Sequence, residues 1–66
     1  MTPQEYQATL KALGLTPAKP SYNGATVHQD RDGGFVSIPD PDELLPEERA
    51  DFIELLIDRN GYARAN

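Results

Sequence analysis

The chain lacks cysteine and tryptophan entirely and holds a single histidine, His28, among its 66 residues. Without cysteine there is no disulfide framework, no thiolate metal ligand and no cysteine nucleophile. One histidine excludes, within one chain, any site that needs two. Bases are scarce as well: six Lys and Arg stand against eleven Asp and Glu, a formal net charge of −5. Phosphate backbones repel such a chain on average, so the expectation is against general nucleic-acid binding. No run approaches the roughly 20 apolar residues of a membrane span. The opening Met1-Thr2-Pro3-Gln4-Glu5-Tyr6 has neither the basic nor the apolar region of a secretory signal. These absences point to a cytoplasmic protein with no membrane segment, no cofactor and no metal site.

Length sets the next bound. A chain of 66 residues makes one domain, and a domain near that size buries only about 60% of its unfolded surface. A deep, enclosed catalytic pocket is hard to wall off in so thin a core. The size therefore favours a binding protein over an enzyme.

The pattern of residues predicts a compact α+β domain of order α-β-β-α, in which a two-stranded antiparallel hairpin packs against two helices. Residues 2–13 read as the first helix. Thr2 is placed as its N-cap, Pro3 suits the first position and Glu5 completes a capping box. Tyr6, Leu10 and Leu13 share one face, and Gly14 with Leu15 forms a Schellman ending. Pro17, Pro20, Asn23 and Gly24 break regular structure in a connector. Residues 25–38 read as the hairpin, with a type I′ turn centred on Asp32-Gly33. That turn sets Val27 opposite Ile38 and Gln29 opposite Val36, facing the helices, and leaves His28, Ser37, Asp30 and Phe35 outside. A three-residue loop would shift the pairing by one residue on one strand. Residues 39–45 hold a short turn, with Leu44 and Leu45 tucked into the core. Residues 46–60 read as the second helix, with Phe52, Ile53, Leu56 and Ile57 buried and Gly61 as its stop. Residues 62–66 read as a fraying tail. A two-stranded sheet is marginal alone, which leaves room for a third short strand from the connector or for a homodimer through the sheet edge.

The strongest chemical pattern is acidic. Asp40 to Asp58 contains eight acids and one base, Arg49. Glu47, Asp51, Glu54 and Asp58 recur at i, i+4, i+7 and i+11, which lines one face of the second helix. Such a run is most often a solvated outer face. Its sharper reading is a docking surface for a protein partner with a basic surface. His28 and Asp30 share a strand face but have no serine tied to them by sequence. Asp30-Arg31-Asp32-Gly33-Gly34 fails as a calcium loop, because Gly34 and Pro41 fall where ligands are needed.

Residues 25–57 resemble the small HicA-type toxins of bacterial toxin–antitoxin modules. The hairpin, Val36-Ser37-Ile38-Pro39-Asp40-Pro41, Leu45-Pro46 and a helix bearing Ile53 and Leu56 carry the resemblance. It implies a fold like that of double-stranded-RNA-binding domains and RNA cleavage by a strand histidine. His28 would be the base, with Lys19, Arg31 or Lys11 holding phosphate. The family's histidine follows a glycine and a small residue; here Gly24-Ala25 is followed by Thr26, and the histidine stands two residues later. The family is also usually basic. Thr2-Pro3-Gln4-Glu5-Tyr6 through Leu13-Gly14-Leu15-Thr16 resembles the start of small phage Cro-like regulators, which implies a mobile-element origin. The Pro17-Ala18-Lys19-Pro20 run departs from the next helix of that fold. Taken together, the sequence is read as a small acidic regulator or inhibitor, not an enzyme, that binds through Glu47, Asp51, Glu54 and Asp58. The RNA-cleaving toxin and the structural homodimer are its alternatives.

Overall fold

A computed structural model describes residues 1–63. Helix α1, Pro3–Ala12, is closed chemically at both ends. Thr2 Oγ1 accepts the Glu5 N–H at 3.1 Å, and Glu5 Oε1 accepts the Thr2 N–H at 2.9 Å. That second bond, with the hydroxyl contact, holds the Glu5 carboxyl below its ordinary pKa. At the other end the Leu15 N–H donates to Leu10 O and the Gly14 N–H to Lys11 O, both at 3.0 Å. Gly14 takes φ +83°, and a Cβ there would fall 2.3 Å from Arg31 Nε. The backbone conformation is what favours glycine here; the Arg31 side chain laid across it is exposed and would have to move aside for any Cβ. Leu10 and Leu15 are both buried, the apolar contact that a Schellman ending brings.

The sheet is a three-stranded antiparallel meander of order β1-β2-β3, with β1 Thr16–Pro17, β2 Ala25–Gln29 and β3 Phe35–Pro39. The connector supplies β1, pairing Thr16 with Gln29 and Pro17 with His28. A further bridge joins Tyr22 to Ala25 across Asn23 and Gly24, whose φ values are +54° and +77°. Two successive positive φ angles mark a type I′ turn, so this turn lies at Asn23-Gly24. Pro17 to Tyr22 is five steps while Ala25 to His28 is three, so the strand bulges at residues 18–21.

The β2–β3 loop corrects the expected register. The Asp30 N–H donates to Gly34 O at 2.9 Å and the Gly33 N–H to Asp30 O at 3.2 Å, enclosing the three-residue loop Arg31-Asp32-Gly33. Only Gly33, at φ +86°, takes a positive φ in that loop. It is therefore a type I turn with a glycine bulge. Asp30 Oδ1 fixes it by accepting the Asp32 and Gly34 N–H groups at 3.0 and 2.8 Å. Val27 pairs with Ser37, not Ile38, and His28 pairs with Val36. A one-residue shift turns a strand over. His28 and Ile38 thus face the helices and are buried, while Val27, Phe35 and Ser37 lie on the outer face.

A 3₁₀ turn, Pro41–Glu43, leads into α2, Pro46–Asn60. Glu48 Oε1 accepts the Leu45 N–H at 2.8 Å, and Gly61 at φ +73° ends the helix. Arg49, the one base in the acidic run, is used structurally. It donates to Pro41 O at 2.8 Å and to Met1 O at 3.0 Å. Two expected core positions and one expected tail position need correction. Leu45 is 58% and Ile57 38% exposed. Leu44 and Leu45 are successive extended residues and so point to opposite sides. Ile57 is turned 100° round the helix from Leu56, at the margin of the stripe that α2 buries. Tyr62 is the third: it packs against the core and its hydroxyl donates to Asp30 Oδ2 at 3.3 Å. Residues 64–66 of the expected tail lie outside the described residues.

Tyr6, Leu10, Leu13, Leu15, Ile38, Ile53 and Leu56 form the core. Tyr6 joins α1 to β3 at its centre, its hydroxyl donating to Pro39 O at 2.8 Å. Burial, with the Asp40 charge nearby, pushes its phenol up to about 12. Tyr6→Phe should cost about 1 kcal/mol in denaturant unfolding, the worth of one buried hydrogen bond. Sign fixes the pH dependence: the unfolded phenol ionises first, so wild-type stability is intact below pH 10 and falls as pH rises toward 12. Tyr6→Phe lacks this loss, so the gap between the two proteins should narrow across that window.

Candidate functional site

Two surfaces lie on different sides of the domain. The first is the outer face of α2. Successive helical residues turn by 100°, which places Glu47, Asp51, Glu54 and Asp58 opposite Ile53 and Leu56. All four carboxylates are exposed. Leu55, 42% exposed, flanks the row on one side, and Ile57 flanks it on the other. The four residues singled out from the sequence therefore share one solvent-facing row, and the row has apolar neighbours, of which Ile57 was expected in the core.

The second surface is a groove between α1 and the β1 side of the sheet. It consists of two adjoining recesses of about 250 and 360 Å³ that share Gln7, Leu10, Pro17 and His28 as walls. Its floor is His28, only 4% exposed. His28 Nδ1 lies 2.9 Å from Thr26 O. A carbonyl can only accept, so Nδ1 carries a proton. Nε2 has no hydrogen-bond partner among the described residues. No sealed, unsatisfied polar side-chain atom occurs among them either, so Nε2 opens onto the groove. Lys11 lines one recess and Lys19 the other.

One end of the groove is closed by a polar knot. Asp40 accepts hydrogen bonds from the Ser21 hydroxyl and, at 2.7 Å, from the Thr26 hydroxyl. These two bonds, Ser21 first, hold the Asp40 carboxyl below its ordinary range. The sequence reading missed this knot, because its members are brought together only by the bulge and the observed register. Gln7 and Lys11 were accessible to it: their i, i+4 spacing puts them on one row beside Tyr6 and Leu10.

His28 and Asp30, neighbours on one strand face, make no hydrogen bond to each other among the described residues. Asp30 is committed to the loop amides and Tyr62, and Ser37 lies on the opposite face of the sheet. Of the residues that the toxin resemblance would use, His28, Lys11 and Lys19 line the groove. Arg31 does not; it crosses Gly14 and donates to Ala12 O at 3.0 Å. No group of three or more His, Asp or Glu side chains able to hold a metal ion is found among the described residues.

The Nδ1 contact fixes a tautomer that can be read directly. Long-range ¹⁵N–¹H correlation of the neutral His28 ring should show a protonated Nδ1 and a bare Nε2; an Nε2–H tautomer would contradict the groove geometry. In comparisons with known proteins, no family model, curated protein or solved structure matches the chain.

Proposed function

We propose that this protein is a non-enzymatic interaction protein that docks through the outer face of α2 on a basic surface of a protein partner. The observation that carries this reading is the exposure of Leu55 and Ile57 on either side of the Glu47–Asp51–Glu54–Asp58 row. Acids alone would serve solubility. Apolar side chains set among them give the surface what an interface requires, desolvatable anchors inside a charged rim. The helix is also well held. Glu48 and Arg49 tie its first turn, and the Tyr62 N–H returns to Leu56 O at 3.3 Å at its other end. A surface on a rigid element loses little freedom when it binds.

Binding then follows from two ranges of force. The carboxylate row attracts a cationic surface over a distance comparable to the Debye length, about 8–10 Å at ordinary ionic strength. It raises the encounter rate and selects orientation. On contact, Leu55 and Ile57 leave water and supply the short-range attraction that slows dissociation.

The test is affinity capture with the wild type beside the variant Glu47→Lys, Asp51→Lys, Glu54→Lys, Asp58→Lys, both verified as folded by circular dichroism. A basic protein retained by the wild type, lost by the variant and released by added salt is the expected result. Equal capture by a folded variant would place the interface elsewhere and defeat this reading.

A further inference from the structure

We propose that the groove between α1 and β1 is a binding site for a small organic acid with an apolar body, whose acidic group meets Nε2 of His28. The site differs from the α2 surface and its existence does not depend on that reading. Its starting point is the cost of a histidine in this place. The inner face of the sheet otherwise presents Pro17, Val36 and Ile38 beside Leu10, and one further polar residue, Thr26, whose hydroxyl is bonded to Asp40. A polar ring set among such residues is unfavourable unless its nitrogens are satisfied. Thr26 O satisfies Nδ1. Nε2 is left unpaired among the described residues on a side chain that is only 4% exposed, and that side chain lines both recesses of the groove.

The groove walls specify the ligand's remaining chemistry. Leu10, Leu15, Pro17 and Pro20 make its sides mainly apolar. Its recesses lie near the lower end of the volumes that hold small molecules, roughly 300–1,000 Å³. The cations among the lining residues are Lys11 and Lys19; Asp40 is the one carboxylate among them, kept ionised by the Ser21 and Thr26 hydroxyls, and its charge, felt at His28, offsets part of theirs. The net charge of the chain is −5, yet two lysines stand against one carboxylate among the described residues that line this groove. An acid suits Nε2 in either form. The neutral acid donates its O–H to the bare nitrogen, and the carboxylate accepts from the protonated ring. In both cases one proton is shared and no bond other than a hydrogen bond forms.

The experiment is an NMR titration of the labelled full chain with three probes: benzoate, benzyl alcohol and a short single-stranded RNA. Benzoate should give saturable shifts at the His28 ring, Gln7 and Thr26, with none at Asp51 on α2. Benzyl alcohol, which keeps the ring and a hydroxyl but no charge, should bind about tenfold more weakly, equal to about 1.4 kcal/mol. Lys11→Gln with Lys19→Gln, both outside the core, should shrink that difference. His28→Phe should abolish the benzoate preference; if that variant fails to fold, the wild-type titration and the lysine variant still decide the matter. Three results would overturn the proposal: no saturable shift with benzoate up to its solubility limit, equal binding of the alcohol, or groove shifts with RNA at lower concentration than with the acid. The last would make the groove a phosphate-backbone site.

Discussion

The carboxylate of Asp30 determines which side of β2 faces the helices. By accepting the Asp32 and Gly34 amides it holds a three-residue loop, and that loop sets the pairing of Val27 with Ser37. Strand side chains alternate with period two, so no intermediate arrangement exists. In the observed register Ile38 completes the core around Tyr6, and His28 becomes the floor of a groove. With β2 slipped by one residue, Val27 would take the inner face and His28 would stand in solvent. Asp30 also receives the Tyr62 hydroxyl, so the same side chain anchors the chain beyond α2. That contact, with burial as the larger cause, raises the Tyr62 phenol pKa.

The two surfaces are separated by the core, and their electrostatics differ accordingly. The α2 row is a set of exposed carboxylates whose effect is long-ranged and salt-sensitive. The groove is a recess with apolar sides into which Lys11, Lys19 and the His28 ring bring polar groups that have no side-chain hydrogen bond there beyond His28 Nδ1, so its selectivity depends on those three together. A small domain can carry both because neither needs a large cavity: one uses the convex side of a helix, the other the gap left where β1 is only two residues long. The short β1 also explains why the groove stays open, since α2 packs with α1 and leaves the β1 side uncovered.

Much of this fold was legible in the sequence where the governing interactions are local. Thr2, Glu5, Gly14 and Leu15 specify both ends of α1 within a few residues, and Pro46 and Gly61 bound α2 in the same way. The acidic row was legible because helical periodicity alone places Glu47, Asp51, Glu54 and Asp58 together. The sheet was harder. Two Xaa-Gly pairs compete for the type I′ turn, and Asn23-Gly24 takes it because a tight hairpin returns the connector to β2 there. At Asp32-Gly33 a side chain two residues upstream decides the loop instead. Once that choice reverses, Val27 and His28 exchange faces and the groove appears, together with the Ser21–Asp40–Thr26 knot that no spacing rule joins.

The register is therefore the claim on which both the core and the groove rest, and cross-strand Hα–Hα nuclear Overhauser effects measure it directly. Asp30 with Gly34 and Gly24 with Asp40 are joined by ladder hydrogen bonds, which leaves Ala25–Pro39, Val27–Ser37 and Gln29–Phe35 as the closely spaced pairs between them. Strong Hα–Hα effects between Val27 and Ser37 and between Gln29 and Phe35 are predicted. Effects linking Val27 to Ile38 and Gln29 to Val36 in their place would contradict the account, because they would turn His28 outward and remove the floor of the groove.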